Sequence, residues 1–361
     1  MLKKLDFELM RIVACFFVIF NHTGQKGFFL FSTIKDRESL EFWLYLFLSV
    51  FDKFAVPLFF AISGALMLGR EPEPLGRLWK KRVLKIFLVL LAWSLFYYLN
   101  KLNFDFSRFD IAYFVRMFYA NPKSWNLALW YMYAYLAMLI SLPLLQRLVK
   151  NMTGRDFLYM FAVALFYVSV APVFQYLMWQ DKAVMYHHLK PSWLYANVVL
   201  YPCIGYFLHA RLKEFWDWKR LSVLWLVNVM AIGLCAYMTY YKAGVTGVLS
   251  SGKSQAFHMT YTMLNCATVF ASCQYFCDRH KFGSLAEKGI RLLGSCTFGI
   301  YLLHIFVKDH KMLTPLWNVL LKDLSLNPML ACFIYVGVVM VIGFAVTLVM
   351  KRIPVLRRLV T

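Results

Sequence analysis

The stretch NPMLACFIYVGVVMVIGFAVTLVM at residues 327–350 contains no charged side chain, and neither does LSVLWLVNVMAIGLCAYMTYY at residues 221–241. A helix that crosses the hydrocarbon layer of a membrane needs about 20 mostly apolar residues. A soluble core helix of that length would keep a polar face, and these two have none. The same reading carries outward along the chain. It places spans near residues 7–31, 54–68, 83–100, 127–146, 157–173, 193–209, 221–241, 258–277, 292–307 and 327–350. Leu40–Phe51 reads as an interfacial or lumenal helix leading into the second span. The expected fold is therefore an all-α integral membrane protein of about ten transmembrane helices, forming one domain over residues 1–361.

Composition agrees. Hydrophobic residues make up 61% of the chain and charged residues 16%, against about 45–50% and about 25% in a soluble domain. The 22 Tyr and 11 Trp suit a chain that meets two membrane interfaces many times. A net charge of +21 would suit a nucleic-acid binder if the charge lay on one stripe. It lies instead in short clusters between apolar runs, which is the pattern of charges that orient a membrane protein. With the N-terminus in the cytoplasm, the inner segments collect 23 Lys and Arg and the outer segments 15, with Arg11 inside the first span counted in neither. Both termini are expected inside. Met1-Leu-Lys-Lys4 precedes a long apolar run with no small-residue cleavage site, so the first segment reads as a retained helix. The eight Cys lie mostly within apolar runs and read as small packing residues.

Ionisable groups inside a span are expensive and point to function. Arg11 and His22 both fall in the first expected span. Eleven residues at 100° each come within about 20° of three full turns, so the two share a face about 16 Å apart along the axis. Taken singly, Arg11 reads equally as a snorkelling anchor and His22 as a packed histidine; their common face favours function for both. Arg77, Lys80, Lys81, Arg82 and Lys85 form a basic entry to the third span. Arg82 and Lys85 lie at i,i+3, which suits either topological anchoring or a phosphate clamp. His304 lies near the outer end of the ninth span. Asp52 reads as an interfacial charge beside Lys53, at a depth that approaches His22. Ser63-Gly64 and Gly299 read as close-packing positions between helices. There is no Gly-rich phosphate loop, His-Glu-x-x-His or Gly-x-Ser-x-Gly, so no metal centre or serine nucleophile is expected.

Taken in order, these residues resemble a known family. Arg11-x10-His22 is similar to the Arg-x10-His motif of the membrane acyltransferase-3 family. So are Val56-Pro-Leu-Phe-Phe-Ala-Ile-Ser-Gly64, the basic entry to the third span, Leu129-Trp-Tyr131 and Cys296-Thr-Phe-Gly-Ile-Tyr-Leu-Leu-His304. The resemblance is to the short, membrane-only branch. The third-span motif, commonly Arg-x-x-Arg, reads Arg82-Val-Leu-Lys85 here, and no acidic residue follows the Leu-Trp motif through residue 140.

The resemblance implies ten core spans in a bacterial plasma membrane. It also implies transfer of an acyl group, usually acetyl, from cytoplasmic acyl-CoA to an outer-face acceptor, typically a cell-surface or lipid-linked sugar. In that setting His22 is the expected catalytic histidine, either as a general base or as a transient acyl carrier. Arg11, Arg82 and Lys85 are expected to bind acyl-CoA, with Asp52 and His304 in support and no metal. The acyl-CoA arm is roughly as long as the Arg11–His22 separation, which would let the thioester reach His22 while the nucleotide stays at the inner surface. The rival reading is a transporter that uses the same polar face as a path and does no chemistry.

Overall fold

Apolar runs without a polar face leave their backbone amides no partner in lipid except one another, and the helix is the structure that satisfies them locally. The computed structural model describes residues 5–120, 125–126, 128–180, 184–247, 249 and 258–361, and no strand occurs among them. Ten principal helices follow in order: α1 Leu5–Asn21, α2 Leu40–Met67, α3 Leu75–Lys101, α4 Trp130–Asn151, α5 Gly154–Trp179, α6 Asn197–Ala210, α7 Trp218–Thr246, α8 His258–Arg279, α9 Ser284–Asp309 and α10 Pro328–Arg352. Each coincides with one of the expected spans. Short helices at Ile111–Ala120, Thr314–Asn318 and Pro354–Val360 connect or follow them.

Among the described residues seven of these helices are long and apolar enough to cross a membrane on their own. The other three are α1, α6 and α8. At 14 residues α6 is about 21 Å long, short of the roughly 30 Å hydrocarbon layer. It sits within the bundle, packed against α2, α4 and α8. α8 buries a row of polar groups, Thr262, Asn265, Thr268 and Gln274, against its neighbours. The helices that face outward carry bare apolar rows, such as Val223, Leu226, Met230 and Tyr237 on α7. That surface suits lipid, not water.

The first helix is the hub and touches α2, α8, α9 and α10. Close approach is bought elsewhere by missing side chains. A Cβ on Gly64 of α2 would overlap the backbone of Pro202 in α6, and a Cβ on Gly205 would overlap Ala61 in return. Gly299 of α9 likewise faces Thr347 of α10. The expectation that Gly64 and Gly299 are packing positions therefore holds. All eight cysteines are free thiols, seven of them buried.

Two boundaries differ from the sequence reading. The first helix ends at Asn21 instead of continuing to residue 31. The Thr23 hydroxyl donates to the Phe20 carbonyl (2.7 Å) and accepts from the Phe28 amide (3.0 Å), and Gly24 adopts φ +60°. Together these turn the chain out of the helix. Leu40–Phe51 is continuous with the second span rather than separate from it. Only a single 3-10 turn at Asp52–Phe54 interrupts the combined helix.

Candidate functional site

The end of α1 leaves His22 in the first residue beyond the helix, on the side that faces α9. The His304 ring of α9 is 5.2 Å from it, centroid to centroid. His304 is fully buried, and its Nδ1 lies 2.5 Å from the Tyr301 carbonyl. A carbonyl only accepts, so Nδ1 carries the proton and Nε2 keeps a lone pair. Among the described residues Nε2 has no hydrogen-bond partner.

The 3-10 turn in α2 brings Asp52 and Lys53 to the same place. Both line, with His22 and Asn21, a cavity of about 250 Å³ closed by Val56, Phe60 and Trp130. The Asn21 amide donates to one Asp52 carboxylate oxygen (2.5 Å), while the other is buried without a partner among the described residues. Lys53 Nζ lies 4.0 Å from the centre of the Phe28 ring. Asp52 is fully buried. Its carboxylate is enclosed by protein where the first helix ends and α4 and α6 begin, so it is a buried group and not the exposed charge that its place beside Lys53 suggests.

Three turns back along α1, Arg11 lines two adjoining cavities of about 740 and 360 Å³. Its guanidinium is paired with buried Glu8 at 2.6 Å, an i,i+3 contact that the sequence reading did not weigh. Arg70 and Lys351 also line the larger cavity. Lys351 Nζ donates to the Ser295 carbonyl (2.8 Å) and hydroxyl (3.0 Å). Lys85 lines the smaller cavity together with Arg11, Ser63 and Tyr135. Arg82 lines neither; it pairs with Glu73 and contacts the Met67 sulfur at 3.4 Å. A π-turn at Trp79–Val83, of the kind often found at functional sites, precedes the break between their directions.

The structure thus gathers the expected residues into two groups on one side of α1. His22, His304 and Asp52 form one, and Arg11 with Lys85 the other. Arg82 stands apart. The cationic members that motif reading missed, Arg70 and Lys351, come from the end of α2 and from α10, and no spacing in the sequence joins them to Arg11.

A family model described as an acyltransferase domain matches residues 4–350, nearly the whole chain. The chain belongs to the acyltransferase-3 family. No curated protein and no solved structure matches it. For a membrane acyltransferase the two groups have distinct uses. The cationic end suits an anionic acyl donor, since Arg and Lys both hold phosphate. The histidine end offers two imidazoles, one of them lining a cavity of about 250 Å³, of the kind that serve as a base or nucleophile.

Proposed function

We propose that this acyltransferase moves a short acyl group, acetyl in the simplest case, from cytoplasmic acyl-CoA to a hydroxyl of a cell-surface or lipid-linked sugar on the outer face of the plasma membrane. The observation that carries this reading is the stacking of a cationic cavity at Arg11 and a histidine cavity at His22 along a single helix. The donor's charged nucleotide stays at the Arg11 end, held by Arg11 and Lys85 with Lys351 and Arg70 around it. Arg82 stands outside both cavities, paired with Glu73. The thioester arm extends along α1 toward His22.

The acceptor hydroxyl oxygen attacks the thioester carbonyl carbon. His22 takes the hydroxyl proton, the carbon–sulfur bond breaks, and the departing thiolate recovers that proton to leave as CoA thiol. His304, with its Nε2 lone pair free, accepts a hydrogen bond from His22 or from the hydroxyl and so orients the base. Asp52 holds Asn21 beside them. The small volume next to His22 favours a short acyl group.

The test uses membrane vesicles containing the protein, with acetyl-CoA labelled in the acetyl group supplied at the cytoplasmic face. Label should appear in envelope glycan together with stoichiometric CoA release. Movement of a sugar or lipid-linked sugar with no CoA release would instead establish a transporter.

A further inference from the structure

Between Arg11 and His22 the path is closed. Among the described residues none lines both the 360 Å³ cavity at Arg11 and the 250 Å³ cavity at His22. Phe60 of α2 forms the floor of the His22 cavity, while Tyr131 of α4 and Tyr301 of α9 form the far wall of the Arg11 cavity. The Phe60 and Tyr131 rings meet edge to face with centroids 4.9 Å apart. Tyr131 meets Tyr301 the same way at 5.5 Å. All three are buried. The partition is therefore two aromatic rings thick, with one ring facing each cavity.

Its parts are unequally fixed. The Tyr301 hydroxyl donates to the Ala128 carbonyl at 2.5 Å, which anchors that ring. Phe60 is held by packing alone, and an edge-to-face pair contributes only about 0.5–1.5 kcal/mol beyond area burial. Rotation of the Phe60 and Tyr131 rings would open the partition at their contact. Tyr301 also stands beside the catalytic end: its ring lies 5.8 Å from that of His304 and its carbonyl holds the His304 Nδ1.

We infer that Phe60 and Tyr131 form a selectivity gate, which passes a short acyl arm to His22 and shuts out longer acyl groups and outer-face water while no acceptor is engaged. The inference rests on the acyl-transfer reading above. Without the gate, a thioester lying in the Arg11 cavity would be open to water from the His22 side. The uncoupled reaction is hydrolysis: water's oxygen attacks the carbonyl carbon, its proton passes to His22, and the carbon–sulfur bond breaks to give free carboxylic acid and CoA thiol. A closed site is the general defence against such side reactions. Acyl discrimination fits the same wall, because one methylene in a hydrophobic pocket is worth about 10–200-fold.

The experiment compares acetyl-CoA with butyryl-CoA, each labelled in the acyl group, in vesicles carrying the native protein, Phe60→Ala or Phe60→Leu. Label is counted in glycan and as free acid. Phe60→Leu keeps an apolar side chain in the core and guards against loss of fold in Phe60→Ala. Both variants should bind acetyl-CoA as the native protein does. Both should raise the butyryl-to-acetyl transfer ratio, Phe60→Ala by at least about tenfold, and both should divert label from glycan into free acid. Native ratios and native free acid in a variant that binds acetyl-CoA normally would overturn the gate and leave the acyl-transfer reading standing. Native protein that transfers no label from either donor would overturn that reading, and the gate with it.

Discussion

His22 keeps its place by ending a helix. The Arg11–His22 spacing predicts a common face, and both side chains do turn toward α9, because the helical phase holds through Asn21 and the next residue inherits it. What periodicity could not show was that the chain then turns at Thr23 and Gly24, so that His22 sits at a helix end where backbone and side chain have room to meet a substrate. Nor could it show the partner ring of His304, which lies 282 residues away in sequence. The burial of Asp52 is illegible for the same reason: its neighbour Lys53 makes the pair look exposed, and only tertiary packing encloses the carboxylate. Glu8 was legible, since it stands one turn before Arg11, but a carboxylate near a chain start is easily discounted. A base or acyl carrier must act on the reacting atoms, so losing it should remove chemistry and leave binding intact. His22→Gln, which keeps hydrogen bonding and loses basicity, should be produced and bind acyl-CoA normally while transfer falls at least about 100-fold, the lower range for loss of a general base. Transfer rate and acyl-CoA affinity measured on the same preparation check this. Transfer within a few-fold of native would move the chemistry to His304.

Two of the helices that build the site depart from regularity. α2 carries a 3-10 turn where Asp52 and Lys53 enter the His22 cavity, and α3 carries a π-turn where the basic cluster passes the Arg11 end. A π-turn closes through i→i+5 bonds and so takes up more residues per turn than the α-helix on which i,i+3 reasoning rests. The i,i+3 spacing of Arg82 and Lys85, read on an ideal α-helix, therefore does not by itself show where each side chain goes at this element. Lys85 faces the cavity that Arg11 lines, whereas Arg82 reaches back to Glu73. The charges are legible in the sequence; which of them borders the Arg11 cavity is decided by local winding and packing, which propensity does not reveal. This division predicts unequal effects. Lys85→Ala should weaken acyl-CoA binding by about 1.5–3 kcal/mol, the range for a hydrogen bond to a charged group. Arg82→Ala should weaken it less, because that side chain already has a carboxylate partner. Equilibrium binding of acyl-CoA to the two variants decides the matter, and a larger loss in Arg82→Ala would mean that the Glu73 pair breaks when donor binds.

Across the whole molecule, the helices are legible because lipid imposes one solution on an apolar run, and among the described residues seven of them are long and apolar enough to cross a membrane. The packing order was not legible. Nothing in α1 marks it as the hub, yet it touches four other helices, and the short α6 can lie at membrane depth only because protein surrounds it. A central α1 has a functional consequence, since a single rigid element then spaces the cationic end from the histidine end. Orientation decides whether that spacing runs from cytoplasm to exterior, and orientation follows charge. The loop that opens at residue 150 carries Lys150 and Arg155, and the chain closes on Lys351, Arg352, Arg357 and Arg358. If basic segments stay in the cytoplasm, an even number of crossings places the first residues, residues 150–155 and the C-terminal segment on one side. Reporter fusions or single introduced cysteines probed with an impermeant thiol reagent at residues 150–155 and after residue 361 should therefore both report cytoplasm. Residues 104–110, one crossing earlier, should report the exterior. A cytoplasmic signal at 104–110, or an external one at either basic site, would reverse the Arg11 and His22 ends and leave the acceptor on the wrong side for transfer to the cell surface.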